Sequence, residues 1–135
     1  DIERTFPGKR YFQKNRGGVK RLKNVLTAIS NHEKSLGYCQ GMNFIVATML
    51  LNFSEEDSFW MALYVLDDCN FKEYLRTGLP GLKVANYQLD CLIQVFLPDL
   101  YLYFEEQGLS ASFFASQWFI TLFSYDLPTK LVIRI

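Results

Sequence analysis

Two polar side chains stand in settings where residue type and spacing could do chemistry. Arg4 lies three residues after Asp1 and, with Thr5 between, just before Phe6-Pro7-Gly8. If residues 1–5 end a helix, Asp1 sits one turn back and can brace the guanidinium. The Phe-Pro-Gly run then stops the helix and leaves the arginine at an exit a partner can reach. The same position equally suits a solvated arginine at a helix C-terminus, where the dipole favours a cation. Gln40 lies in the polar, glycine-bracketed stretch Gly37-Tyr38-Cys39-Gln40-Gly41-Met42-Asn43, between an amphipathic basic segment and a nearly continuous apolar run at residues 44–51. A glutamine fixed by rigid backbone can orient a water or read a polar group by donating and accepting hydrogen bonds without ionising. This is chemistry of positioning rather than of proton transfer.

Other chemistries find less support. There is no GxxxxGK[ST] loop, no Gly-rich dinucleotide turn and no carboxylate pair at catalytic spacing, so the chain is not expected to bind and hydrolyse a nucleotide by itself. Cys39, Cys69 and Cys91 are odd in number and form no CxxC, which argues against a disulfide framework or a zinc site and for a reducing, cytosolic compartment. His32 is the only histidine, so Cys39 with His32 is the sole Cys-His nucleophile candidate, set against a buried thiol and a surface imidazole. Asp67-Asp68 would suggest a metal only if other oxygens converged on it, and otherwise reads as a solvated helix end. No metal site is expected.

The elements that must position Arg4 and Gln40 are helical. Half of the 135 residues are hydrophobic and 16% aromatic, enough for one domain with a core. The apolar runs at 44–51 and 59–66 are far shorter than the ~20 residues that cross a bilayer. Residues 1–34 carry nine Lys/Arg against three Asp/Glu, and residues 35–135 five against eleven, so the front is basic and the back acidic. No stacking-aromatic or groove-helix pattern accompanies the basic charge, so nucleic acid is not expected as a partner.

Residues 9–18 read as a loop anchored by Tyr11 and Phe12, with Arg16-Gly17-Gly18 as a flexible joint. At 19–33, Leu22, Val25, Leu26 and Ile29 form the stripe of an amphipathic helix. Residues 41–53 are apolar all round, a central buried helix with Met42 and Met49 as core filler. Ser54-Glu55-Glu56-Asp57 predicts a capped helix start, carried on by Phe59, Trp60, Leu63 and Leu66 and ended at Asp67-Asp68. Residues 72–76 read as a short turn, 82–97 as a helix, and Pro98 as a break before a shorter helix to 107 with Gly108 at its cap. Ser110 or Ser112 can cap a helix bearing Phe113, Phe114, Trp118, Phe119 and Leu122, and a last helix starts at Pro128. The expectation is an all-α, irregular multi-helix domain of about six or seven helices, with no repeat of solenoid length.

Tyr38-Cys39-Gln40-Gly41-Met42 resembles the YxQGM motif of TBC-domain Rab GTPase-activating proteins. Two further segments fit the same family in the same order. Asp1-Ile2-Glu3-Arg4-Thr5 resembles the second part of its IxxDxxRT motif. Ser116-Gln117-Trp118-Phe119, followed by Leu127-Pro128 and Arg134-Ile135, is similar to its later Trp-Phe segment and the start of its RIWD segment. The resemblance covers essentially the whole chain and implies a single partial TBC-like domain at residues 1–135, with the family's earlier helices before Asp1 and its Trp-Asp after Ile135.

The resemblance implies acceleration of GTP hydrolysis by a Rab-family GTPase, with Arg4 as an arginine finger and Gln40 as a glutamine finger. Asp1, Thr5, Tyr38, Gly41, Asn43 and Trp118 would support the site or bind the GTPase. Tyr38 and Trp118 have plain packing as the alternative. The chain would need no cofactor of its own, since Mg²⁺ and GTP come with the partner. It would work in the cytoplasm or at the periphery of endomembranes, touching membrane only through the GTPase. A catalytically silent GTPase-binding module and a helical scaffold are the rival readings.

Overall fold

A computed structural model describes residues 1–13 and 16–134. Part of the expected 9–18 loop, at 14–15, lies outside the described residues, as does Ile135, where the expected last helix and the RIWD resemblance end. Among the described residues there are eight α-helices, three 3-10 turns and no strand. The count exceeds the expected six or seven because short helical turns form where little apolar periodicity marks them.

Helix α1 (Gly18–His32) buries Leu22, Val25, Leu26 and Ile29, the stripe its spacing predicts, and leaves Lys20, Arg21, Lys23 and Asn24 exposed. Its first residue is not a loose joint. Gly18 is buried, and a Cβ there would lie 2.3 Å from the Tyr11 carbonyl oxygen, so the turn at Arg10–Phe12 closes onto the helix start only because the side chain is absent. Phe12 enters the core as the expected anchor.

Helix α2 (Met42–Leu50) is the central element. Met42, Asn43, Ile45, Val46, Ala47, Thr48 and Leu50 are all buried, as an all-round apolar sequence requires. Helix α3 (Glu55–Asp67) opens at Ser54, whose Oγ accepts the Asp57 N–H at 3.1 Å, the expected cap. Glu55 in its first turn accepts from Asn24 Nδ2 at 3.0 Å and lies 3.8 Å from Arg21 Nε, so α1 and α3 are joined across their polar edges as well as through the core. Asp67-Asp68 ends α3, and no group of three or more metal-ligating side chains gathers there or elsewhere among the described residues. Instead Asp67 and Glu33 both pair with Lys72 of α4 (Lys72–Leu75), the Glu33 contact at 2.7 Å.

Helices α5 (Pro80–Phe96) and α6 (Pro98–Glu106) break at Pro98 as expected. Only Leu82, Ala85, Asn86 and Ile93 of α5 are buried, and no residue of α6. The expected helix through Phe113 and Leu122 does not form as one element. A 3-10 turn at Ala111–Phe113 precedes α7 (Ser116–Ile120), after which Leu122 and Phe123 take left-handed φ values of 47° and 59°. The competitors are local: Thr121 Oγ1 donates to the Gln117 carbonyl at 2.7 Å and Ser124 Oγ to the Thr121 carbonyl, a pattern that bends or ends helices.

Neither Ser110 nor Ser112 caps from within. Their hydroxyls meet each other at 2.6 Å, and the Ala111 N–H is capped from α5 by Asp90 Oδ1 at 2.7 Å. Helix α8 (Thr129–Val132) follows Pro128. No helix among the described residues is long and apolar enough to cross a membrane.

Candidate functional site

The turn at Ile2–Arg4 is 3-10 rather than the end of an α-helix, a correction to the expected conformation. The three-residue spacing still brings Asp1 to Arg4, with Arg4 Nη2 donating to Asp1 Oδ1 at 3.1 Å. The Arg4 side chain is 83% exposed, so one carboxylate oxygen steers a guanidinium that otherwise faces solvent. The other carboxylate oxygen, Oδ2, accepts from the Tyr38 hydroxyl at 3.1 Å. That hydroxyl also lies 3.3 Å from Asn43 Oδ1, and its single proton can serve one acceptor fully or both in part. Burial, with Cys39 adding to it, pushes the Tyr38 phenol up from its ordinary value.

Asn43 completes the connection. Its Oδ1 accepts the Gly41 N–H at 3.2 Å, and its Nδ2 donates to Thr5 Oγ1 at 2.8 Å. Thr5 Oγ1 in turn donates to the Asp1 carbonyl at 3.0 Å. Asp1, Tyr38, Asn43 and Thr5 therefore form a closed hydrogen-bonded ring. Thr5 and Asn43 are each only 1% exposed. Two segments nearly forty residues apart are thus held in register by one buried bond, Asn43 to Thr5, and one exposed bond, Tyr38 to Asp1.

Gly41 sets the height of the second turn. Its φ is 106°, and a Cβ would lie 2.8 Å from the Ile120 carbonyl oxygen at the end of α7. Any other residue would be strained in backbone and would collide with another backbone atom. Gln40 is therefore presented, exposed, from a backbone wedged against α7.

Arg4 and Gln40 line one groove of about 300 Å³, shared with Asp1, Asn43, Phe44, Gln117 and Tyr125. Phe44 and Tyr125 form one wall, edge to face with ring centroids 4.9 Å apart. Trp118 is not among the lining residues. Its indole packs on Phe114 at 5.3 Å and Phe123 at 6.1 Å, and the neighbour that lines the groove is Gln117. Gln117, Phe44 and Tyr125 were not singled out by sequence. Spacing along the chain carried no signal for Gln117, because its place beside Gln40 depends on the Ile120 carbonyl meeting Gly41, a contact between separate elements.

The Cys39 and His32 pair does not assemble. Cys39 Sγ meets the carbonyls of Leu75 at 3.5 Å and Leu36 at 3.7 Å, and burial pushes its thiol up, away from the nucleophilic thiolate. The exposed His32 ring meets Phe59 edge to face and lies 3.9 Å from Glu33.

Residues 1–135 match the family described as the Rab-GTPase-TBC domain. Among curated relatives, the chain is 38% identical over 135 residues to the Rab GTPase-activating protein eat-17 of Caenorhabditis elegans. It is 38% identical over 136 residues to TBC1 domain family member 4 of Mus musculus, and 35% identical over 136 residues to the Ecotropic viral integration site 5 ortholog of Drosophila melanogaster. Each comparison covers 100% of this chain but only 15%, 10% and 17% of the respective relative, so the chain spans a small part of their length. A whole-chain family match and a helical fold agree with the three ordered motifs: the chain belongs to the Rab-GTPase-TBC domain family.

Proposed function

We propose that this chain is the catalytic part of an activator of Rab-family GTPases, with Arg4 inserted beside the β- and γ-phosphates and Gln40 orienting the attacking water. The observation that carries the reading is that Arg4 and Gln40 line the same groove from two turns stitched together by the Asp1, Tyr38, Asn43 and Thr5 ring. Phosphoryl transfer asks mainly for positioning and for neutralisation of charge on the transferred group. The partner brings GTP and Mg²⁺ as substrate together with its own phosphate-binding loop. What a slow GTPase lacks is a cation at the leaving oxygens and an ordered water, and an arginine and a glutamine supply those two things. Asp1 steers the guanidinium, and a planar fork can bridge two oxygens where an ammonium cannot. Work at a membrane would then be indirect, through the lipid-anchored GTPase, in the cytoplasm or at the periphery of endomembranes.

The test is single-turnover GTP hydrolysis by a panel of purified Rab GTPases with the domain and its Arg4→Ala, Arg4→Lys and Gln40→Ala variants, each shown to be folded. Arg4→Ala is expected to lose about 10³ to 10⁵ in acceleration, roughly 4 to 7 kcal/mol of barrier, and Arg4→Lys nearly as much. Gln40→Ala is expected to lose about 10² to 10³. A Rab that binds without being accelerated, or full activity in either alanine variant, would replace this reading with that of a GTPase-binding module.

A further inference from the structure

The groove contains a second glutamine whose amide is unengaged. Gln117 is half-buried on α7, and its main-chain carbonyl is taken by Thr121, but its side chain has no hydrogen-bond partner among the described residues. It lines the groove together with Gln40 and Arg4. Its placement follows from the Gly41 contact. The Ile120 carbonyl abuts Gly41, the residue after Gln40, and Gln117 lies three residues before Ile120, on the same face of α7. The contact that fixes the backbone of Gln40 therefore also carries Gln117 to the same groove.

We infer that Gln117 is a positioning residue that holds the Gln40 amide in its working rotamer. This rests on the reading of Gln40 as the residue that orients water. The hydrogen-bonded ring secures the backbone beside Gln40, through the Gly41 N–H, yet leaves the Gln40 side chain exposed and without a hydrogen-bond partner among the described residues. A free glutamine side chain loses substantial rotamer entropy when it is fixed for reaction. An amide lining the same groove removes part of that cost: in the working rotamer the Gln117 side-chain carbonyl, unpaired among the described residues, accepts an N–H of Gln40, whose own carbonyl stays available for a proton of the attacking water. Arg4 offers donors only, and Asn43 already uses both ends of its amide inside the ring, so neither can accept that N–H. Of the remaining lining residues, Asp1 is committed to Arg4 and Tyr38, and Phe44 has no polar group, which leaves the Tyr125 hydroxyl as the competing acceptor. Tyr125→Phe is the control that must keep kcat, and a loss there with Gln117→Met unaffected overturns the inference.

The test uses Gln117→Met, which keeps length and apolar stem but removes the hydrogen-bonding amide. It is assayed on an accelerated Rab in single turnover at varied activator concentration, beside Gln40→Ala and the double variant. The expected result is a kcat lower by roughly tenfold, with KM within about twofold and an unchanged thermal midpoint. The double variant should be no slower than Gln40→Ala alone, because the two amides act as one unit. An unchanged kcat, or a raised KM with kcat intact, overturns the inference while leaving the role of Gln40 standing. The second result would make Gln117 a contact for the GTPase. A lowered thermal midpoint accompanying the loss assigns Gln117 to packing and also overturns it. Full activity of Gln40→Ala removes the reading on which the inference rests, which is a separate outcome.

Discussion

The two ends of this molecule solve the problem of holding a side chain in place differently. Around α1, α2 and α3, position is over-determined: Leu22 and Ile29 have no exposed surface, α2 is buried on nearly every side, and the ring of Asp1, Tyr38, Asn43 and Thr5 satisfies its polar atoms internally. The α5 and α6 pair is held on one side alone. Phe96 is 73% exposed, Val95 and Leu102 also face outward, and α6 buries nothing. The comparison teaches why the groove sits where it does. On the proposed reading, a side chain that meets a phosphate within a fraction of an ångström needs rigid support behind it, and among the described residues the α1–α3 end offers a core and a closed polar network.

The sharpest way to break the comparison is a pair of truncations. Ile29→Ala should lower stability by about 2 to 5 kcal/mol, because a fully enclosed cavity cannot collapse, whereas Phe96→Ala should stay within about 0.5 kcal/mol. Urea unfolding of the two variants measures the difference. A large cost for Phe96→Ala would mean that the α5 face is seated against something in the protein under test.

A smaller effect probes the ring. Asn43→Ala removes the acceptor of the Gly41 N–H and the donor to Thr5 Oγ1 at a site with almost no access to water. It should cost about 1 to 3 kcal/mol and reduce Rab activation beyond what the stability loss accounts for, since the turns of Arg4 and Gln40 would lose their shared register. Equal activity at equal folded fraction would show the ring to be structural only.

The smallest effect belongs to Lys72, whose ammonium joins α4 to the ends of α1 and α3. Its hydrogen bonds to Asp67 and then to Glu33 raise its pKa above the ordinary lysine value, outweighing partial burial. A raised pKa means that the folded state holds the proton more tightly. The contribution is therefore complete below the unfolded lysine pKa and is lost as pH rises through the higher folded value. Lys72→Met should cost about 1 kcal/mol or less at neutral pH, and the gap from the parent protein should close above about pH 10.4. A gap that is constant through that range would assign the loss to packing of the lysine stem.

Much of this was legible in the residues themselves. The stripe of α1, the all-round apolar run of α2, the Ser54 cap and the Pro98 break are local patterns, and short-range periodicity and dihedral limits govern them directly. The region from 110 to 124 was not legible, because its cap comes from Asp90 on another helix and its helix is ended by hydroxyls that could as easily have faced solvent.

The same division runs through the candidate site. Sequence by itself determined that Arg4 follows an acid by three residues, that Gln40 precedes a glycine, and that both stand in the order of a known family. Tertiary structure alone decided that Asn43 and Thr5 join the two turns, that Gly41 is pressed against Ile120, and that Gln117 rather than Trp118 lines the groove. The physical reason is that spacing specifies neighbours along one helix face, whereas a contact across nearly eighty residues depends on how separate elements pack, and nothing in the chain's local chemistry states that packing.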